Sequence, residues 1–218
     1  MERVSKSFDV EGLGELAESL YVEFEEEILP RLKEITEETK RYLYLIAWLN
    51  TKLEGRGIGR IIITGGFAVE VYTGRIYRTM DVDVIVEGIN AGDLVERFLK
   101  KFSEKIARGF LPRYELLQLK SIDMVSVVYG RKIQPTKLVV EDFHVYVEPV
   151  EELVITYLAG WKFWESTEDR DKAYWLYALW SERIDHEYLE SRAVEEGVYD
   201  YLKTLQGMLK TLGTSRNG

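Results

Sequence analysis

The chain has 218 residues, of which 46% are hydrophobic and 31% are charged, and it contains no cysteine. This apolar content is enough to build the core of one domain with appendages or of two small domains, and the lack of cysteine excludes disulfides and thiolate metal sites. The net charge of −9 disfavours a nucleic-acid partner, but residues 1–50 carry 12 acids and 6 bases whereas residues 72–140 carry 12 bases and 8 acids, which leaves room for a locally positive surface.

The sequence also allows a prediction of the protein's cellular location. No apolar run reaches about 18 residues, and residues 1–12 lack the apolar segment of a signal peptide. We therefore expect a cytoplasmic protein with no membrane partner. The high charged fraction, the absence of cysteine and the presence of only four methionines are typical of thermophile proteins.

Residues 12–53 have a helical pattern. Apolar side chains recur at every fourth position from Leu16 to Ile28, which is the spacing of one helix face. Pro30 predicts a break or the start of a new helix. Three glycines within residues 55–59 then predict a flexible join to the next part of the chain.

The most informative stretch runs from Ile61 to Gly88. Its first apolar residues predict the end of a strand, and Gly65-Gly66 allows the backbone to turn and to approach a ligand without side-chain obstruction. A helix that begins near Phe67 would direct its free N–H groups at the same place, which favours an anion such as a triphosphate. A glycine pair after a strand is also compatible with an ordinary tight turn.

Asp81 and Asp83 lie in the next apolar run, MDVDVIV. Residues i and i+2 of a strand point to the same face, so these two carboxylates project side by side and repel each other. Half-burying them is costly unless a cation neutralises them, and Mg²⁺ shared with substrate phosphates is a suitable oxygen-preferring ion. A lone Asp-x-Asp is compatible with a polar strand edge. An Asp-x-Asp that follows a strand, a glycine turn and a helix in this order predicts a metal site.

The string GGFAVEVYTGRIYRTMDVDVIV resembles the nucleotidyltransferase superfamily related to DNA polymerase β. In that superfamily a Gly-Gly or Gly-Ser turn is followed by Asp-x-Asp or Asp-x-Glu on the next strand. The string is similar to the branch that contains the AbiEii-type toxins, where an Arg-x-x-Arg-Thr-x-Asp-x-Asp segment is typical. In this chain the segment consists of Arg75, Arg78, Thr79, Asp81 and Asp83.

The resemblance implies a third carboxylate on a later strand, which completes a site for two ions about 4 Å apart. Asp123 is the best match because it lies among apolar residues at the start of a strand-like run. It could equally have only a structural role, as an acid that begins the strand and caps the loop after Lys120. The rivals are Glu141 and Asp142, which fit a turn between two strands, and Glu148, which directly precedes a proline.

The roles of the basic and hydroxyl side chains in the motif have two interpretations each. Arg75 and Arg78 could donate bidentate hydrogen bonds to triphosphate oxygens, or they could pair with Asp81 or Asp83 and neutralise them. Thr79 could orient one of the carboxylates or turn the chain.

The rest of the chain predicts further helices and strands. A helix with one apolar face is expected over residues 92–107, and strands are expected within 116–129 and 138–147. From Pro149 onward the pattern is helical again, with an aromatic stripe that should mostly be buried. In relatives of the toxin-like branch a Pro-Glu-x-Leu helix carries a lysine that reaches the nucleotide. Here Tyr157 stands near the expected position, and Lys162 lies one turn further on.

The order strand, helix, strand, helix, strands predicts an α/β fold. We expect a small mixed β-sheet nucleotidyltransferase core with helices packed on it, flanked by N- and C-terminal helical segments. The expected segments are an N-terminal helical segment at 1–55, the core at 56–150 and a C-terminal helical region at 151–218.

The resemblance implies a nucleotidyltransferase that uses Mg²⁺ or Mn²⁺ to move a nucleoside monophosphate from an NTP to a hydroxyl of RNA or tRNA, a protein or a small molecule. Asp81 and Asp83 would bind both ions, Asp123 would bind one ion and help to deprotonate the acceptor, and Gly65 and Gly66 would hold the β and γ phosphates. One alternative is a catalytically silent fold that binds a nucleotide or a partner protein as half of a toxin–antitoxin pair. Another is a structural module whose acid pair binds no metal. The oligomeric state stays open.

Overall fold

The computed structural model describes residues 10–107 and 109–214. Residues 1–9, which make up most of the N-terminal segment that lacks the apolar part of a signal peptide, are outside the described residues. The described helices are α1 (Val10–Glu23), α2 (Leu29–Glu34), α3 (Glu38–Gly55), α4 (Gly65–Tyr72), α5 (Ala91–Phe102), α6 (Val150–Trp164), α7 (Thr167–Trp180), α8 (His186–Glu195) and α9 (Tyr199–Thr214). The described strands are β1 (Arg60–Ile63), β2 (Asp81–Glu87), β3 (Ser103–Ile106), β4 (Gly109–Pro112), β5 (Ser121–Ser126), β6 (Thr136–Val140) and β7 (Phe143–Val147).

The seven strands form one mixed sheet in the order β3-β4-β5-β2-β1-β7-β6. The central strand β2 pairs parallel with β5 and antiparallel with β1, and β1 pairs parallel with β7. β2 is flanked on both sides, and its residues 82, 84 and 86 are buried valines. This architecture confirms the predicted α/β class with a mixed sheet and packed helices.

The N-terminal helices bury the apolar face that their sequence predicts. α1 continues through a π-helical turn at Phe24–Ile28 into α2, and Pro30 lies in the first turn of α2, as expected for the start of a helix. Phe24 is fully buried and stacks on Phe102 with 4.6 Å between the ring centres, while Phe98 meets it edge-on at 5.8 Å. Such aromatic contacts add to the free energy gained by burying the rings.

One predicted helix boundary is wrong, and one predicted turn is confirmed. The helix predicted over 92–107 ends at Phe102, because residues 103–106 form β3 and pair with β4. Periodicity along the chain does not reveal this pairing, since it depends on a partner strand. The region predicted as strand over 138–147 is a hairpin of β6 and β7, and Glu141 occupies the turn with φ of 52°, which confirms the turn predicted there.

The chain folds into two compact units. Unit 1 comprises Met1–Ala68 and Arg78–Val147, and it contains the whole sheet together with α1, α2, α3 and α5. Unit 2 comprises Val69–Tyr77 and Glu148–Gly218, and it contains α6 to α9. The chain passes from unit 1 into the 69–77 segment within α4. It returns to unit 1 at Arg78, shortly before β2.

In unit 2, the 69–77 segment is fastened to α7. The indole N–H of Trp180 donates to the carbonyl of Tyr72 at 2.9 Å, and the hydroxyl of Tyr77 donates to Glu168 at 2.7 Å. The ammonium of Lys172 lies 5.0 Å from the centre of the Tyr77 ring and 2.9 Å from Glu168. Burial lowers the pKa of Lys172, but its contacts with Glu168 and Tyr77 outweigh that effect, so the pKa is raised and the charge is retained.

No helix in the described ranges combines the length and the apolar character needed to cross a membrane. This agrees with the apolar runs of the sequence, which are too short for such a segment.

Candidate functional site

Three carboxylates converge where β2 and β5 run side by side in unit 1. The parallel register places Asp81 opposite Ser121 and Asp83 opposite Asp123. One oxygen from each of Asp81, Asp83 and Asp123 lies within 4.8 Å of the other two, and all three residues are half-buried. Within the part of the chain that the structure describes, this is the one group of three or more acidic, histidine or cysteine residues close enough to hold a metal ion. Carboxylate oxygens are the ligands that hard divalent cations prefer.

The structure thus brings Asp123 to the Asp81–Asp83 pair, which is the placement that the third carboxylate requires. Of the rival acids, Glu141 and Asp142 lie at the turn between β6 and β7. The catalytic role of these carboxylates stays a prediction.

Two hydroxyl groups orient the carboxylates. Thr79 donates a hydrogen bond to Asp81, and Ser121 donates to Asp123 at 2.7 Å. Each hydroxyl residue precedes its carboxylate by two positions, the spacing that puts side chains on one face of an extended chain. The structure therefore shows that Thr79 contacts a carboxylate, and a part for Thr79 in substrate binding stays a prediction. Ser121 was missed, although the same spacing could have revealed it.

Gly65 places its backbone directly against one of the carboxylates. Its φ is 59°, a left-handed conformation that side-chain-bearing residues rarely adopt, and a Cβ added there would lie 2.1 Å from Asp83 Oδ2. A Cβ added to Gly66 would lie 2.9 Å from the hydroxyl oxygen of Thr79. A side chain at either position would collide with a residue of the acidic motif. Both positions therefore require glycine for this close contact as well as for the turn.

Gly109 has the same relation to the third carboxylate, and sequence reasoning missed it. It pairs with Asp123 in the register between β4 and β5, and a Cβ added to it would lie 1.8 Å from Asp123 Oδ1. No local pattern marks this glycine, because its role depends on a strand that begins 12 residues later.

Replacing Gly109 by alanine is expected to displace the Asp123 carboxylate and to weaken binding of Mn²⁺ about tenfold, the size of effect seen when a group that supports a metal ligand is disturbed. The backbone of Gly109 is not left-handed, so the expected loss of affinity comes from the contact between the new Cβ and Asp123 and not from backbone strain. Gly130→Ala is the control, since nothing lies within 4 Å of a Cβ at that position. Titration with Mn²⁺ followed by electron paramagnetic resonance measures both variants, and equal affinities for Mn²⁺ would contradict this prediction.

α4 begins at Gly65, beside the carboxylates, two residues before the predicted start near Phe67. The N–H of Thr64 donates to the carbonyl of Asp83 at 3.0 Å, and the N–H of Ala68 donates to the carbonyl of Thr64 at 3.1 Å. The N–H groups of the first helical residues have no acceptor within the helix, and the helix dipole favours negative charge at this end. This end of α4 is therefore a suitable anion site next to an acidic cluster, where a metal ion and a phosphate could be bound together.

The two arginines of the motif lie in different surroundings. Arg78 belongs to unit 1 and forms an ion pair with Glu38 of α3, while about half of its side chain is exposed. Arg75 belongs to unit 2, where Gly74 and Arg75 both adopt left-handed conformations after the end of α4. Phosphate binding by either arginine stays a prediction.

Lys162 is held within unit 2. Its ammonium donates to both carboxylate oxygens of Asp200 at 2.7 and 2.9 Å and to the carbonyl of Gly197 at 2.8 Å. The hydrogen bond from Lys162 lowers the pKa of Asp200. Tyr157 is buried, and Lys172 of α7 places its ammonium 5.0 Å from the centre of the Tyr157 ring. A nucleotide would have to compete with Asp200 for Lys162, whose part in binding stays a prediction.

The chain is structurally similar to an antigenic nucleotidyltransferase-like protein from Paracoccidioides brasiliensis, with a TM-score of 0.52 and 16% sequence identity over 80% of this chain and 93% of that one. The fold is that of a nucleotidyltransferase-like protein. Two structures of the antibiotic-resistance factor ANT(2'')-Ia are also similar, one of them in complex with adenylyl-2''-tobramycin. Their TM-scores are 0.45 and 0.46 and their identities 17% and 16%, over 77% and 71% of this chain and 97% and 96% of theirs.

No protein-family model matches the chain, and no curated protein matches it. The similarity to the Paracoccidioides protein shows a shared fold. Membership of the superfamily expected from the glycine and Asp-x-Asp motifs, and of its AbiEii-type branch, stays a prediction. Within this nucleotidyltransferase-like fold, the acidic cluster lies on two adjacent strands in the interior of the sheet.

Proposed function

We propose that this protein is a nucleotidyltransferase that depends on Mg²⁺ or Mn²⁺ and transfers a nucleoside monophosphate from an NTP to a hydroxyl group. The observation that carries the proposal is the convergence of Asp81, Asp83 and Asp123, within 4.8 Å of one another, beside the N-terminus of α4. The nucleotidyltransferase-like fold supports the same reaction class.

The residues present fit a site for divalent ions. Three carboxylates supply oxygen ligands and three negative charges, and two hydroxyl donors fix two of these carboxylates. The lack of a Cβ at Gly65 and Gly109 lets the carboxylates of Asp83 and Asp123 lie directly against the backbone at these positions. Bound divalent ions would make the attacking hydroxyl more acidic and stabilise the negative charge of the leaving pyrophosphate.

The side chains and backbone of the site have separate tasks in this proposal. Asp81 and Asp83 would hold both ions, and Asp123 would hold one ion and would help to take the proton of the acceptor hydroxyl. The N–H groups at Gly65 and Gly66 donate hydrogen bonds to the β and γ phosphates, which the positive end of the α4 dipole also attracts. These groups are fixed before the substrate arrives, so little free energy is spent on orienting them during the reaction.

The acceptor is the open part of the proposal. The resemblance to the AbiEii-type branch favours a tRNA 3′ end, and a protein hydroxyl or a small molecule is compatible with the same carboxylates. The relatively basic composition of residues 72–140 is compatible with RNA.

The proposal is tested by incubating the protein with each of four α-³²P-labelled NTPs and Mg²⁺ or Mn²⁺, in the presence of total tRNA, of the protein alone or of small hydroxyl compounds. We expect label on one class of acceptor, and we expect it to disappear with EDTA and in an Asp81→Ala/Asp83→Ala variant. Label that persists in the variant would contradict the proposal. Binding of metal and NTP with no transfer to any acceptor would favour a catalytically silent protein that binds a nucleotide or a partner.

A further inference from the structure

A lysine is buried next to the acidic motif. Lys120 directly precedes β5, and only 1% of its surface is exposed. Its ammonium lies 3.2 Å from a carboxylate oxygen of Glu38 and donates a hydrogen bond to the carbonyl of Thr79. Lysine is rarely buried unless it is paired, because removing the charge from water is costly. Glu38 supplies this pairing, and the hydrogen bond to Thr79 joins the buried pair to the acidic motif.

Thr79 links the buried lysine to the carboxylates. Its carbonyl accepts a hydrogen bond from Lys120, and its hydroxyl donates one to Asp81. Glu38 on α3 binds Lys120 through one oxygen and Arg78 through the other. Immediately before the chain enters β2, the side chain of Arg78 is therefore tied to α3 directly, and the backbone of Thr79 is tied to it through Lys120.

The backbone of Lys120 is fixed as well. Its N–H donates to the hydroxyl oxygen of Tyr42 at 2.9 Å, and that hydroxyl donates to the carbonyl of Leu117. Burial raises the pKa of Tyr42, so its hydroxyl remains a proton donor. The next residue, Ser121, donates its N–H to the carbonyl of Met80 at 3.2 Å. The entrances to β2 and β5 are thus joined to each other and to α3.

We propose that Lys120, neutralised by Glu38, is a positioning residue for the metal site, because it holds Thr79 in the place from which Thr79 orients the Asp81 carboxylate. The inference rests on the proposed function and adds the group that keeps the metal ligands in place. A lysine with a merely structural role would affect stability, whereas a positioning lysine affects metal affinity even when stability is preserved.

The test is the double variant Lys120→Met/Glu38→Leu. Replacing a buried ion pair by apolar residues of similar size is often neutral for stability, because both desolvated charges are removed together. Arg78 loses a partner, but about half of its side chain is exposed, so water can solvate its charge. We expect a thermal unfolding midpoint close to that of the wild type and a dissociation constant for Mn²⁺ raised about tenfold, the size expected for a group behind a metal ligand.

A second variant, Thr79→Val, removes the hydroxyl at the end of the same connection while keeping the size of the side chain. We expect a similar loss of Mn²⁺ affinity, and little further loss when Thr79→Val is added to the double variant, since both changes break one connection. This variant tests the inference even where the double variant does not fold. Wild-type affinity for Mn²⁺ in Thr79→Val would overturn it.

The control is Lys52→Met, which breaks the partly buried ion pair between Lys52 and Glu23 of unit 1. It should leave Mn²⁺ affinity unchanged. Free Mn²⁺ is measured by electron paramagnetic resonance in the absence of nucleotide. A folded double variant with wild-type affinity, or a wild-type protein that binds no Mn²⁺, would overturn the inference. A wild-type protein that binds Mn²⁺ but transfers no nucleotide would overturn only the proposed function.

Discussion

Replacing Asp83 by asparagine is expected to abolish nucleotidyl transfer while the protein remains folded. Asp83 lies opposite Asp123 in the strand register and directly against Gly65. Asparagine keeps the size of the side chain but removes one of the three negative charges. Losing a metal ligand should remove several kcal/mol of transition-state stabilisation, and a loss of about 4 kcal/mol corresponds to roughly a thousandfold in rate.

The thermal stability of metal-free Asp83→Asn should not fall together with its rate of transfer. Three carboxylates within 4.8 Å repel one another when no cation is bound, so removing one charge relieves that repulsion. We expect the thermal unfolding midpoint of metal-free Asp83→Asn to equal or exceed that of the wild type. Calorimetry in EDTA measures the midpoint, and the labelled-NTP assay measures the rate of transfer.

Asp142→Asn is the matched control for Asp83→Asn. Asp142 is an exposed acid at the turn between β6 and β7 of the same unit, and its replacement removes the same charge and the same atoms. We expect the wild-type rate and wild-type Mn²⁺ binding. If Asp83→Asn kept more than about a tenth of the wild-type rate, the loss would be below about 1.4 kcal/mol, and Asp83 would not be a ligand in the reaction.

The parts of the candidate site that the sequence predicts are those encoded by local spacing. Asp81 and Asp83 share a face because of the two-residue period of a strand, and Gly65-Gly66 signals the turn before α4. Asp123 is different. It lies 40 residues beyond Asp83, and its approach depends on parallel pairing of β2 with β5, so only the family resemblance pointed to it.

The supporting groups could not be predicted, for a physical reason. Gly109 meets Asp123 because of strand register, and Lys120 meets Glu38 because α3 packs near the entrance to β5. In the sequence, Lys120 reads as an ordinary polar residue before a strand. Contacts of this kind appear only when segments that are distant along the chain are brought together.

The burial of the aromatic stripe in the C-terminal helices also could not be predicted fully from the sequence. The sequence predicts that most of the stripe is buried, but Trp164 is 82% exposed, Phe163 is 57% exposed and Trp175 is 39% exposed. Phe163 and Trp164 lie at the end of α6, where the chain turns through the left-handed residue Glu165, whereas Trp175 lies within α7. Periodicity identifies the buried face of a helix interior and says little about its last turn.

Replacing Gly65 by alanine is expected to remove metal binding and transfer through two separable effects. The first is the left-handed backbone, with φ of 59°, which costs an alanine about 1 kcal/mol. The second is the 2.1 Å approach of the new Cβ to Asp83 Oδ2, which forces the carboxylate or the start of α4 to move. A displacement of about 1 Å at a reacting centre can lower the rate roughly a hundredfold.

Gly57→Ala separates the two effects, because Gly57 has a φ of 68° and nothing lies within 4 Å of a Cβ built on it. Both variants should therefore lower the thermal unfolding midpoint through backbone strain, by roughly 2–4 °C for a chain of this size. Only Gly65→Ala should also lose Mn²⁺ affinity and transfer, since only its Cβ meets a carboxylate of the acidic cluster. Equal transfer by the two variants would mean that Gly65 serves the turn alone, and the carboxylate would then be free to take another position around a bound ion.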